Sequence, residues 1–327
     1  MIAIIPAAGI GTRLRPHTYT LPKALLYVAG KPIISHILDD VVALGPSRIV
    51  LIVGYKGDLI EAYVRKQYAG LNVEFVLQEE RKGIGHAVDL TRAVADAGEP
   101  LLIVLGDTII TTDLAAVVAR PRNVLGVKEV EDPRRFGVCE VRGGLITRLV
   151  EKPQDPPSNL ALVGLYYLTD GRALFDAVRW VIDNDVTTKG EYQITDALQH
   201  MIEHGAEFEP FTIDQWFDCG KPETLLETNR RLLENGLGGA PSIDGSIVVP
   251  PVAISPGAEV VGSIIGPHVS IAEGATVHNS IVRDSVLAEG CTVKDCLLEG
   301  SLVGAHAVIR GGFKKLDVGD SSEITLG

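Results

Sequence analysis

Apolar positions along this chain keep two different rhythms. In the longer N-terminal part, solid apolar runs alternate with stretches where apolar residues recur every three or four positions. Ile2–Ile5, Ile49–Val53 and Leu101–Leu105 are continuous runs of Ile, Val, Leu and Ala. Such runs suit strands covered on both faces. Ile34, Ile37, Leu38, Val41 and Leu44 keep helical spacing, Ala87–Ala97 is helix-like, and Val73–Gln78 alternates as a strand does. This order predicts an α/β fold, a mostly parallel sheet with helices on both faces. Ligands of such sheets bind beyond the carboxyl ends of the strands. Two segments fall there: the loop after the first strand, and Gly106-Asp107.

From Asn123 to Leu168 the pattern is less regular. Val124–Val130, Leu145–Val150 and Leu162–Leu168 read as added strands, and Arg172–Ile182, Ile194–Glu203 and Thr224–Leu233 as helices. The Gly- and Pro-rich stretch NGLGGAPSIDG, Asn235–Gly245, reads as a linker. Then the second rhythm begins. Ser246–Gly262, Ser263–Asn279, Ser280–Asp295 and Cys296–Gly311 align as successive repeats. Apolar residues recur within them about every six positions: Ile265, Ile271 and Val277, then Leu287 and Val293, then Val303 and Ile309. One such coil cannot bury its apolar edge alone, so coils must stack. The pattern resembles the left-handed β-helix of hexapeptide-repeat proteins. The expected division is therefore 1–235, a linker at 236–245, and a β-helix at 246–327.

Composition narrows the partners. The chain has 327 residues, 46% of them hydrophobic and 22% charged, with a formal net charge of −12. That charge repels a phosphate backbone, so nucleic acid is not an expected partner. No apolar run is long enough to span a bilayer. MIAIIPAAG lacks a basic leader and meets Pro6 and Gly9 early, so it reads as a first strand, not a signal peptide. Cys139, Cys219, Cys291 and Cys296 form no C-x-x-C pair, and reduced thiols in a cytoplasm are expected.

The candidate chemistry starts behind the first strand. Ala7, Ala8, Gly9 and Gly11 leave backbone N–H groups open to phosphate oxygens, and Arg13, Arg15 and Lys23 can add positive charge. The segment lacks the third glycine of G-x-G-x-x-G and the G-K-[ST] of a P-loop. Taken alone it either cradles phosphate or only turns the chain under solvated arginines.

The same segment, AAGIGTRLRPHTYTLPKALL, resembles the signature of the sugar-1-phosphate nucleotidylyltransferases: G-x-G-T-R, then P-x-T and P-K. Further matches follow in family order: QEERKGIGHAV from Gln78, LGD at Leu105–Asp107, FGV at Phe136–Val138, EKP at Glu151–Pro153, VGLYY from Val163, GEYQITDAL from Gly190 and WFDCGKPETLLETN from Trp216. The resemblance covers roughly residues 1–235. It is greatest to glucose-1-phosphate thymidylyltransferases that carry a C-terminal β-helix, and it implies a Rossmann-like catalytic domain. One departure is Ala8, since the P-A-A-G-x-G-T-R form also occurs in UDP-glucose pyrophosphorylases.

What the resemblance implies is Mg²⁺-dependent transfer from a nucleoside triphosphate, dTTP before UTP, to a hexose-1-phosphate, with glucose-1-phosphate expected. Arg13 and Lys23 would be catalytic, gripping the triphosphate and the α-phosphate region. Ala8, Gly9, Gly11 and Thr12 would line the nucleotide, with Gln78 and Gly83 at the base edge. Asp107 and Asp218 would hold Mg²⁺; read from sequence alone, either could instead cap a helix. Glu151 and Lys152 would hold the sugar and its phosphate, beside Gly137, Val163 and the wall of Trp216. The β-helix would assemble subunits into a homo-oligomer. Uridylyl transfer, a second acyltransferase activity using His268, His278 or His306, and a non-catalytic scaffold are the alternatives, in falling order.

Overall fold

The unbroken apolar runs become strands because each has neighbours on every side. The computed structural model describes residues 1–95 and 98–312. Ile2–Pro6 runs parallel to Arg48–Val53 on one edge and to Leu101–Val104 on the other, with Ile4 opposite both Val50 and Ile103. A central strand covered on both faces has no polar side, and Ile2 to Ile5 are all buried. Val73–Leu77 adds a further parallel strand beyond Arg48–Val53. On the other side Leu160–Leu168 runs antiparallel to Leu101–Val104. The hairpin of Gly137–Arg142 and Leu145–Glu151 lies beyond it, and Asn123–Glu129 with Phe208–Thr212 completes nine strands. The sheet is thus mixed, with a parallel N-terminal half.

Helices cover this sheet through apolar stripes. Ile33–Ala43 buries Ile33, Ile34, Ile37, Leu38 and Val41. Gly171–Asp183 buries Leu174, Phe175, Val178 and Val181, and Ile194–Glu203 buries Leu198 and Met201. The expected helix over Ala87–Ala97 is instead two: Ile84–Asp89 and Arg92–Ala95. Thr91 breaks it, its hydroxyl donating to the Val88 carbonyl at 2.7 Å, the local competition that hydroxyl side chains offer a helix. Residues 96–97 of that expected helix lie outside the described residues. The Gly57–Gln67 helix and the Gly137–Arg142 strand are not foreseen by the apolar pattern. Nor is the two-stranded ribbon of Thr108–Thr111 with Gln215–Asp218.

The first strand marks where the strand order turns. From it the sheet extends one way through Arg48–Val53 and the other way through Leu101–Val104. The loops after Pro6 and Val104 therefore leave the same carboxyl edge in different directions. This is the crevice where open α/β sheets bind ligands.

A second compact unit comprises Tyr27–Gly30 with the chain from Leu226 onward. Its repeats form three parallel sheets of four strands each. Ile247, Ile264, Ile281 and Leu297 stack in one register, and Ile271 stacks on Leu287 and that on Val303. This stacked three-sided arrangement fits a left-handed β-helix. Each corner asks for a left-handed backbone, and the repeats supply residues that tolerate one: Gly262, Asn279 and Asp295 at one corner, His268, Asp284 and Gly300 at another. A serine ladder ties the coils together. Ser263 N donates to Ser246 Oγ at 3.2 Å, Ser280 N to Ser263 Oγ at 3.1 Å, and Cys296 N to Ser280 Oγ at 3.1 Å. Residues 313–327 of the expected β-helix lie outside the described residues. Among the described residues no helix is long and apolar enough to cross a membrane.

Candidate active site

Two adjoining cavities open at the carboxyl edge of the nine-stranded sheet. The first, of about 280 Å³, is lined by the Pro6–Gly9 loop, Lys23, Gln78, Arg81, Gly83, Glu191 and Gln193. The second, of about 230 Å³, is lined by Arg13, Arg135, Gly137, Glu151, Val163, Tyr166, Thr195, Trp216 and Asp218. Ile84, Leu105, Asp107, Lys152 and Gln193 line both and so form the boundary.

Residues with no Cβ let the backbones close in. An added Cβ at Gly106 would stand 2.7 Å from the Pro6 carbonyl oxygen, so the two loops at the turning point touch only because position 106 is glycine. Gly83 has φ 104° and ψ 174°, a region open essentially to glycine alone. A Cβ there would lie 2.4 Å from Tyr192 O. The Gln78–Gly83 turn is thereby pressed onto Tyr192, whose N–H donates to Lys82 O at 2.7 Å. At the buried Gln78, Nε2 donates to Gly83 O at 3.1 Å. That leaves Oε1 as the free acceptor of the amide.

Lys23 stands at the centre of the charge arrangement. Its side chain is only 7% exposed, and Nζ lies 2.9 Å from Asp107 Oδ2, while Asp107 is 53% exposed. The ammonium is therefore held by one carboxylate that itself faces the cavities. Asp218 pairs across the ribbon with Thr108, the neighbour of Asp107. A Cβ added at Gly220 would meet both Asp218 Oδ1 at 2.7 Å and Arg13 Nη2 at 2.8 Å, which brings Arg13 and Asp218 to the same point. The helix-cap readings of the two aspartates do not hold. Asp107 precedes a strand, Thr108–Thr111, and the helix after Asp218 begins only at Pro222.

Glu151 is oriented from two sides. Thr195 Oγ1 donates to its Oε2 at 2.6 Å, and Lys152 Nζ lies 3.0 Å from its Oε1. Gly137 sits against this pair, since a Cβ there would be 3.0 Å from Glu151 Oε2. Phe136 packs edge-on against Trp216 with centroids 4.8 Å apart. Burial pushes the Tyr166 hydroxyl above its ordinary range, with the Glu151 and Asp107 charges adding to the effect, so Tyr166 stays a protonated donor. Two polar atoms lining the second cavity, Thr108 Oγ1 and Trp216 Nε1, are buried without a hydrogen-bond partner among the described residues. A buried polar atom is normally paired, which sets these two apart among the residues around this cavity.

Of the residues expected from sequence, Ala8, Gly9, Lys23, Gln78 and Gly83 line the first cavity, and Arg13, Gly137, Glu151, Val163, Trp216 and Asp218 the second. Asp107 and Lys152 line both. Gly11 and Thr12 line neither; Gly11 instead lets Lys23 pass, a Cβ there standing 3.1 Å from Lys23 Cβ. Arg15 also lines neither and lies over the Tyr19 ring at 5.0 Å. Arg81, Arg135, Thr108, Gln193 and Thr195 were not singled out in sequence. Arg81, Gln193 and Thr195 lie inside the quoted motifs, and Arg135 and Thr108 directly beside two of them.

The two aspartates supply hard carboxylate oxygens to one cavity. No group of three or more His, Cys, Asp or Glu among the described residues could hold a metal ion by itself. That combination suits a cation that takes one or two carboxylates and completes its shell with substrate phosphates, as Mg²⁺ does.

The Nucleotidyl transferase family matches residues 2–235. A UTP–glucose-1-phosphate uridylyltransferase of Haloferax volcanii, AglF, is 38% identical over 243 residues, 72% of this chain and 97% of that protein. A glucose-1-phosphate thymidylyltransferase of Streptomyces griseus is 33% identical over 325 residues, 95% of this chain and 89% of that protein. Among solved structures, a UDP-glucose pyrophosphorylase complexed with UDP-glucose superposes with a TM-score of 0.62 at 26% identity, covering 72% of this chain and 98% of that one.

Proposed function

Because the chain belongs to the nucleotidyl transferase family, we propose that it joins a pyrimidine nucleoside triphosphate, dTTP or UTP, to glucose-1-phosphate, giving the nucleotide sugar and pyrophosphate. The observation that carries this reading is the shared wall of the two cavities, where Asp107 and Lys152 face both. One cavity offers Gln78 and Gly83 to a base. The other offers Glu151, Tyr166, Thr108 and Trp216 to hydroxyl groups. The phosphates of both substrates then meet near a boundary where Lys152 supplies a cation, with Lys23 lining the first cavity and Arg13 the second.

In this reading a sugar-phosphate oxygen attacks the α-phosphorus, and pyrophosphate leaves in line. Such transfers need positioning and charge stabilisation more than a side-chain nucleophile. Arg13 neutralises the departing pyrophosphate. Lys23, already desolvated, stands toward the α-phosphate. Lys152 holds the attacking phosphate, and Glu151, fixed by Thr195, accepts from sugar hydroxyls. Asp107 and Asp218 would hold Mg²⁺, which supplies charge neutralisation on the transferring phosphate oxygens.

The test is a pyrophosphate-release assay over a grid of nucleoside triphosphates and hexose-1-phosphates. Release with dTTP or UTP and glucose-1-phosphate, reduced about 10²–10³-fold in Arg13→Ala, is expected. Absence of release from every pair overturns the reading. Of the two triphosphates, UTP is supported by the similarity to AglF and dTTP by that to the Streptomyces griseus protein. Acyl transfer gains no support from the β-helix histidines. His268 lies 3.1 Å from Glu234 and 3.0 Å from Asp284, and His278 lies 3.1 Å from Glu259, each as part of coil packing.

We further propose that the β-helix assembles copies of this chain. Its face carrying Ile247, Ile281 and Leu297 leaves these residues 60%, 42% and 78% exposed. A stacked column of aliphatic side chains so open to water favours burial against another surface.

A further inference from the structure

Arg81 is the one cation lining the first cavity that the reading above leaves without a task. It sits on the turn between Gln78 and Gly83, three residues from the first and two from the second. The turn is pinned at both ends: Gln78 N donates to Val53 O at 2.8 Å, and Tyr192 N to Lys82 O at 2.7 Å. Its neighbours Glu80 and Lys82 form an ion pair with each other. Arg81 itself makes no hydrogen bond or ion pair among the described residues. A fixed backbone thus presents an uncommitted guanidinium to the cavity that also holds the free acceptor of Gln78.

We propose that Arg81 is a specificity-determining residue that reads the 4-carbonyl of the pyrimidine base. The inference rests on the reading that Gln78 and Gly83 face the base. The chemistry is a matter of matching edges. A uracil or thymine presents an N–H flanked by two carbonyls. Gln78 Oε1 can accept from that N–H, while its Nε2 donates to Gly83 O at 3.1 Å and stands 3.4 Å from His86 Nδ1. A guanidinium has donors only, so beside this acceptor it completes the complement of an imide. Cytosine presents a bare ring nitrogen to the Gln78 acceptor and an amino group to the arginine, so both contacts fail. A site built to hydrogen-bond one edge rejects another chiefly by leaving its own groups unpaired. A phosphate role for Arg81 would act on every triphosphate alike, whereas a base contact acts on uracil and thymine alone.

The test compares wild type, Arg81→Ala and Arg81→Lys on the full chain. kcat/KM is measured for UTP, dTTP, CTP and ATP with glucose-1-phosphate, and UMP and CMP binding by calorimetry. Arg81→Ala should lower kcat/KM for UTP and dTTP about 10–100-fold through KM, the range for a hydrogen bond from a charged group. It should leave CTP and ATP nearly unchanged and weaken UMP relative to CMP by a similar factor. Arg81→Lys should recover only part, since it keeps the charge and loses the fork. An equal fall across all four triphosphates, or no fall, overturns the proposal. If the wild type releases no pyrophosphate from any pair, the reaction fails instead, and UMP against CMP binding still decides on Arg81. Unchanged thermal melting of the variants shows that the fold is kept.

Discussion

Gly83→Ala tests whether the floor of the nucleotide cavity depends on the close approach of two backbones. Two effects add. The φ of 104° and ψ of 174° at this position are held by a residue with a Cβ only at a penalty of about 1–3 kcal/mol. The new Cβ would also lie 2.4 Å from Tyr192 O and 2.9 Å from Tyr192 N, so the 190–193 segment must retreat. Its retreat breaks the bonds Gly85 N to Tyr192 O at 2.9 Å and Tyr192 N to Lys82 O at 2.7 Å. Each is worth about 0.5–1.5 kcal/mol net. Together these effects give about 2–6 kcal/mol. At about 2–4 °C per kcal/mol for a domain of this size, the melting temperature should fall by roughly 8–16 °C at the middle of that range. The same retreat displaces Glu191 and Gln193, which line the cavity, so KM for the triphosphate should rise as well. Differential scanning calorimetry and initial-rate kinetics check both. Gly143→Ala is the control: its φ of 59° also strains a side chain, but an added Cβ meets nothing within 4 Å, so the difference between the two variants isolates the clash with Tyr192. The reasoning is refuted if Gly83→Ala melts within about 2 °C of Gly143→Ala and keeps the wild-type KM.

Thr108→Val replaces a buried hydroxyl that has no partner with a group of the same shape. Stability should stay level or rise by about 1 kcal/mol, while KM for the sugar phosphate rises; a drop in melting temperature would show that the hydroxyl is paired within the protein. Burial pushes the Cys139 thiol up to about 12 and the Cys291 thiol up to about 11. Both should resist iodoacetamide in the native chain at pH 8 and react on unfolding. Because the folded state keeps these protons longer than the unfolded one, stability should decline as pH rises from about 9 toward those values. For the β-helix face, Ile281→Lys combined with Leu297→Lys should shift the sedimentation coefficient to that of the single chain, with pyrophosphate release retained; an unchanged sedimentation profile rules out this column as the contact.

The apolar pattern made the sheet centre legible because those strands are buried on every side, so their sequences carry no ambiguity about which face is inside. It was less informative where a strand is half covered. Gly137–Arg142 buries Val138 and Cys139 but leaves Val141 exposed, and its run of six contains a glycine, a glutamate and an arginine. The Thr108–Thr111 ribbon escaped notice because it pairs with Gln215–Asp218, over a hundred residues away in sequence, and a two-stranded pairing leaves almost no local periodicity. The β-helix was legible for the opposite reason. Every coil repeats the same demands, so Ser246, Ser263 and Ser280 recur where each hydroxyl must receive the next coil's N–H. At the candidate site the motifs named six of the nine charged residues that line the cavities and passed over Arg81, Arg135 and Glu191. They did not reveal Thr195 or Thr108. Each matters only through a single contact or the lack of one, which no spacing rule encodes.

The arrangement also resolves how a chain of net charge −12 could gather two phosphorylated substrates. Over the whole chain acidic residues outnumber basic ones, 42 to 30. Around the two cavities the balance reverses, with Arg13, Lys23, Arg81, Arg135 and Lys152 set against Asp107, Glu151, Glu191 and Asp218. Of those carboxylates, Asp107 is bound to Lys23, and Glu151 to Lys152 and Thr195. Glu191 accepts from Gln193 Nε2 at 2.8 Å, so three of the four acids are engaged by partners inside the wall. Arg81 makes no such engagement among the described residues, and Arg13 and Arg135 keep guanidinium donors on the cavity surface. Fixed charges in a cleft with low-dielectric walls act more strongly than the same charges spread over the surface. The local sign, not the total, then decides what the cleft holds.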